Sequence, residues 1–159
     1  MTTIAFCKFR TDFTNAINPN KYKISYPNNS NDLFFWITSL GTGIGAELCH
    51  YEFVAENNKT SNTMVNLEIH FEFSTSQDSL LQKRVLDLKK LFGKRIEYRY
   101  TNNTQVGVKY AEFDTQSSNV INEAIATFEE MDKLFKRKMP LIIIKLMVIS
   151  IFKKKTKKT

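Results

Sequence analysis

The chain contains two histidines, His50 and His70, each with glutamates at two-residue spacing: Glu52 beside the first, Glu68 and Glu72 beside the second. On a β-strand that spacing puts side chains on one face. If both segments are strands and pair, these five side chains share a sheet face. Imidazole nitrogens beside carboxylates can hold a divalent metal or form an acid/base pair. A hairpin loop centred near residue 59 sets His50 opposite Glu68, so the expected metal set is His50, Glu68 and His70. A slip of one residue would dissolve the set, because it sends the side chains to the other face. The plainer reading is a solvated face carrying ordinary cross-strand charge pairs.

A second set is basic and aromatic. Arg95, Arg99 and Lys109 alternate with Ile96, Tyr98, Val108 and Tyr110, and Phe34 and Trp36 lie on an earlier apolar run. Cationic side chains interleaved with aromatic rings can contact phosphates and unstacked bases. Trp36, Arg95, Arg99 and Lys109 are therefore candidate nucleic-acid contacts, against the duller reading of a salt-bridged open sheet face. Phe34 and Trp36 would equally suit a self-association patch.

Other motifs lead nowhere. Gly41, Gly43 and Gly45 have the wrong spacing for a dinucleotide loop, and a strand rather than a helix is expected after them. They read as a tight strand-to-strand turn. Glu68-Ile-His-Phe-Glu72 lacks the lysine of a metal-dependent nuclease strand, and Asp87-Leu-Lys89 falls on a predicted helix. No serine or cysteine triad is apparent. No catalytic residue and no cofactor is expected on these grounds.

The elements that must position these residues follow from periodicity. Phe6, Phe9, Phe13, Ala16 and Ile17 form one stripe of a helix over 4–17, capped by Thr2 or Thr3 and ended at Pro19. A short extended piece is expected at 22–26. Strands are expected at 33–40, 46–55 and 63–74; a helix is the rival for 33–40, but its residues are strand formers and the run is short. The clearest alternation sets Val65, Leu67, Ile69, Phe71 and Phe73 against Asn66, Glu68, His70 and Glu72. A helix over 77–92 with Ser76 as cap, a hairpin of 95–100 and 105–113, and a final helix over 119–138 capped by Ser118 complete the order αβββαββα. The fold class is α+β: an antiparallel sheet with helices packed on one face, over residues 1–138.

Thirteen Phe, six Tyr and one Trp can fill a core in a chain of 159 residues. Cys7 and Cys49 are expected to be free, buried thiols, and zinc ribbons are unsupported because no Cys-x-x-Cys pair exists. Lys8, Arg10 and Asp12 interrupt any leader-like apolar run, so cytoplasmic location is the default. Of 23 Lys and Arg, nine fall in residues 136–159, leaving 14 against 16 Asp and Glu in the rest. The excess of positive charge lies in residues 136–159, and overall basicity is poor evidence for a nucleic-acid partner.

The tail, residues 139–159, has an apolar run over 141–152 interrupted by Lys145, then a lysine-rich end. Twelve positions are too few for a membrane span. It reads as a frameshift-like extension, ahead of a docking segment and of attachment to an anionic membrane surface.

The pieces Phe35-Trp-Ile-Thr-Ser-Leu-Gly-Thr-Gly-Ile-Gly45, Val65-Asn-Leu-Glu-Ile-His-Phe71, Phe92-Gly-Lys-Arg-Ile-Glu-Tyr98 and the final helix resemble a family of small bacterial domains of unknown function. Those domains occur alone or at the end of restriction-type and other DNA-related proteins. The resemblance covers residues 33–138 and implies an accessory domain in a restriction or defence setting. It carries over no catalytic residue. The leading expectation is a non-catalytic binding module with a nucleic-acid or protein partner. A metal-dependent hydrolase and a self-associating domain are the alternatives.

Overall fold

A computed structural model of the chain describes residues 4–27, 33–40, 49–55, 63–72, 97–102 and 105–137. Helix α1 (Ile4–Ala16) leads into strands β1 (Tyr22–Ser25), β2 (Phe34–Ser39), β3 (Cys49–Ala55), β4 (Met64–Glu72), β5 (Glu97–Asn102) and β6 (Gln105–Asp114). Helix α2 covers 120–137. The strands form one six-stranded antiparallel sheet in the order β1-β2-β3-β4-β6-β5. The architecture is α+β. The expected helix over 77–92, the glycine turn over 41–45, Asp87-Leu-Lys89 and the tail lie outside the described residues.

Alternation decides the sheet. Phe35, Ile37, Tyr51, Phe53, Val65, Leu67, Ile69 and Val108 are all buried. Their strand partners, Ile37 with Tyr51, Phe53 with Leu67 and Ile69 with Val108, share that face. Both described helices pack on it. In α1, Phe9 and Phe13 lie 5.4 and 4.7 Å from Phe53, ring centre to ring centre. In α2, Phe128 lies 5.2 Å from Tyr51, in edge-to-face contact. Tilted and edge-on pairs of this kind are favoured by the ring quadrupole.

The short extended piece is a full edge strand, with Ile24 opposite Ile37 and Ser25 opposite Trp36. An Asx turn leads into it, Asn18 Oδ1 accepting from the Asn20 amide at 2.9 Å. Within the expected 33–40 segment Phe34–Ser39 forms a strand, as its composition predicted, and not a helix. Ala16 is off the α1 stripe: burial passes from Phe13 to Ile17 and leaves it exposed. The cap of α2 is Asn119, not Ser118, because the Asn119 carbonyl accepts the first helical bond, from Glu123 at 3.1 Å. Cys7 is a free thiol, half-buried. Among the described residues, no helix is long and apolar enough to cross a membrane.

The polar face differs from expectation. His50, Glu52, Asn66 and Glu68 are buried rather than solvated. Burial of this kind requires charge pairing and hydrogen bonding, and the arrangement of the histidines and glutamates supplies both.

Candidate metal centre

Strands β3 and β4 place His50 opposite His70 and Glu52 opposite Glu68. The expected pairing of His50 with Glu68 is thus two residues out. The face is the expected one, because a shift of two preserves parity. The rings of His50 and His70 stack with centres 5.5 Å apart.

Glu52 joins them. Its Oε2 accepts from His70 Nδ1 at 2.9 Å and lies 3.5 Å from His50 Nε2. The other nitrogen of His70, Nε2, lies 2.9 Å from Glu68 Oε2. One ligand atom from each of His50, Glu52 and His70 lies within 4.8 Å of the others. Glu68, the expected third ligand, sits on the far side of the His70 ring, and Glu52 takes the place beside both histidines. The signal for Glu52 was present in its spacing from His50; only the register was needed to use it.

The electrostatics follow from this geometry. Burial alone would depress the His70 pKa, but its bonds to Glu52 and Glu68 and their negative charges push it up to about 9. His70 is therefore an imidazolium at neutral pH, donating from both nitrogens. Burial alone would raise the Glu52 carboxyl; hydrogen bonds from His50 and His70, with their charges, outweigh it and hold the carboxyl below its ordinary range. Two carboxylates thus share one imidazolium.

Trp36 and Lys109 extend this row. Trp36 pairs with Glu52 across β2 and β3, and its ring meets His50 edge-on at 5.9 Å. Lys109 pairs with Glu68 across β4 and β6, and its ammonium bonds to Glu112. Of the four nucleic-acid candidates, then, two flank the glutamates. The side chain of Arg99 and all of Arg95 lie outside the described residues. Phe34 and Trp36 are half-buried and packed on each other at 5.4 Å. Gly107 lies opposite His70, so β6 contributes no side chain at that register position. His70 keeps 18% of its side-chain surface, the most of the three.

One position further along the same face, Asn66 is fully buried with neither Oδ1 nor Nδ2 hydrogen-bonded to the protein. Such an amide is costly, on the order of 1–3 kcal/mol.

A separate polar cluster lies on the helix-covered face. Asp132 of α2, 2% exposed, accepts from Tyr51 at 2.8 Å, Tyr22 at 3.2 Å and Ser39 at 3.3 Å, and pairs with Lys136 at 2.6 Å. Burial, with the charges of Asp132 and Glu129 and the bond to Asp132, pushes the Tyr22 phenol well above its ordinary value. Sequence reading did not find this cluster. Its signal was an acid on the apolar stripe of α2, between Phe128 and Phe135. Its hydroxyl donors come from β1, β2 and β3, so it fastens α2 to the sheet.

Comparison of the chain with protein-family models, with curated proteins and with solved structures finds no match.

Proposed function

We propose that this protein is a divalent-metal-binding domain, with His50, Glu52 and His70 as ligands. The observation that carries the reading is the convergence of their donor atoms within 4.8 Å on adjacent strands. Tetrahedral ligands on a zinc ion lie about 3.3 Å apart, given bonds of about 2.0–2.1 Å. Two of the three separations already stand near that value, His50 Nε2 and His70 Nδ1 lying 3.5 and 2.9 Å from Glu52 Oε2. The two-nitrogen, one-oxygen set suits zinc and its first-row neighbours rather than magnesium or calcium, which prefer oxygen. Three protein ligands leave a fourth position for water. A metal there would acidify that water, so the reaction class the site supports is metal-assisted hydrolysis.

Nothing in this reading depends on the resemblance to restriction-associated domains. The nucleic-acid reading has less support, because Lys109 is engaged by Glu112 and Trp36 by His50.

Thermal melting of the full chain, stripped of metal by a chelator, tests the proposal. A ligand at a hundred times its Kd stabilises the native state by about 2.7 kcal/mol. For a chain of this size that is a rise of roughly 5–10 °C. Zinc is expected to give such a rise and magnesium none. His50→Ala and Glu52→Gln are expected to abolish it. Equal melting with and without zinc, or a rise that survives both substitutions, would falsify the assignment.

A further inference from the structure

We infer that Glu68 is a positioning residue for the metal: it holds the Nε2–H of His70 and thereby presents Nδ1 to the ion. The inference rests on the metal reading above. A histidine has two nitrogens, and only a neutral ring with a lone pair on the correct one can ligate. Each nitrogen of His70 faces a carboxylate oxygen at 2.9 Å, Nδ1 that of Glu52 and Nε2 that of Glu68. These two bonds are not equivalent once an ion arrives. Nδ1 lies against Glu52 Oε2, the same oxygen that stands 3.5 Å from His50 Nε2. Nε2 lies on the opposite side of the ring, against a carboxylate outside that group.

A cation held between Glu52 and Nδ1 needs a lone pair on that nitrogen, so the ring's one proton must sit on Nε2, where Glu68 Oε2 at 2.9 Å accepts it. Glu68 keeps its own hydrogen bond throughout, so the ring need not turn. The carboxylate also raises the electron density of the ring and makes Nδ1 a better donor. This is the arrangement in which an outer carboxylate sets the orientation of a ligating histidine. The register enforces it: Glu68 is two residues from His70 on β4 and directly opposite Glu52 on β3, so the two glutamates bracket the ring.

The experiment uses the full chain as wild type, Glu68→Ala and Glu68→Gln. Zinc affinity is measured by competition with a chromophoric chelator. Nitrogen-15 NMR of the zinc-loaded protein reports which nitrogen of His70 carries the proton. Wild type is expected to bind zinc through Nδ1 with the proton on Nε2. Glu68→Ala is expected to weaken binding by about 10–100-fold. Glu68→Gln is expected to fall between, because its amide oxygen still accepts from Nε2–H but lacks the charge. A purely structural role for Glu68 would shift melting without moving the tautomer. If the alanine variant does not fold, the glutamine variant carries the test through affinity and tautomer together. Wild-type zinc coordination through Nε2, or unchanged affinity in whichever variants fold, overturns the inference while leaving the metal centre standing. Absence of zinc binding by wild type overturns both, and it is seen before any variant is compared.

Discussion

His70 shows how one side chain's surroundings reverse what burial alone would do. A buried histidine ordinarily loses its proton, and this one retains it because two carboxylates outweigh the desolvation. The same logic makes Asn66 conspicuous. Its amide has no such compensation, being fully buried with both polar atoms unsatisfied. Replacing it by Leu, of similar size, is expected to stabilise the metal-free chain by about 1–2 kcal/mol, since the stranded amide disappears. Urea denaturation at equal metal depletion measures the change; a loss of stability would show that the amide contributes to the fold. The chemistry-bearing residues were legible in part. His50, His70 and the glutamates were placed on one face by parity alone. Which glutamate stands between the histidines was not legible, because the loop between β3 and β4 leaves the register open by two residues and parity cannot detect that shift.

At the scale of elements, strand alternation was the most readable signal, and helix termini the least. Val65, Leu67 and Ile69 are buried as their spacing predicted, whereas the α2 cap falls one residue later than Ser118. Adjacent Ser, Ser and Asn all cap well, so composition does not choose among them. Asp132 was hidden by its neighbours, since an acid among apolar residues has no visible partner until β1, β2 and β3 are assembled. Asp132→Ala removes the acceptor shared by three buried hydroxyls and is expected to cost about 3 kcal/mol in urea unfolding. Asp132→Asn should cost less, because its oxygen still accepts. A loss below about 1 kcal/mol for the alanine variant would show that the cluster does not hold α2. Tyr22 adds a pH dependence. Its folded pKa is raised, so its contribution is intact below the ordinary phenol value of about 10 and declines as pH rises past it. Urea midpoints from about pH 8 to 11 should therefore fall more steeply in wild type than in Tyr22→Phe; parallel slopes would mean that the phenol feels no such field.

At the scale of the whole molecule, the described residues form a sheet with two unlike faces, one packed with phenylalanines under both described helices and one holding a buried layer of charge. The first was predictable because aromatic residues at regular spacing have few alternatives to a core. The second was not, since alternation tells which side a glutamate takes and not whether water reaches it. The Asp132 cluster also bears on how the chain is made. Tyr22 and Asp132 are separated by 110 positions, and Ser39 and Tyr51 by 93 and 81. A ribosome must therefore release nearly all of α2 before the first two strands find their anchor. Nascent chains stalled short of that helix are expected to stay protease-sensitive through β1 and β2, and chains with 137 or more residues clear of the exit tunnel to become resistant. Closure across so long a loop comes late by its nature, and here it is the last step that makes the early strands permanent.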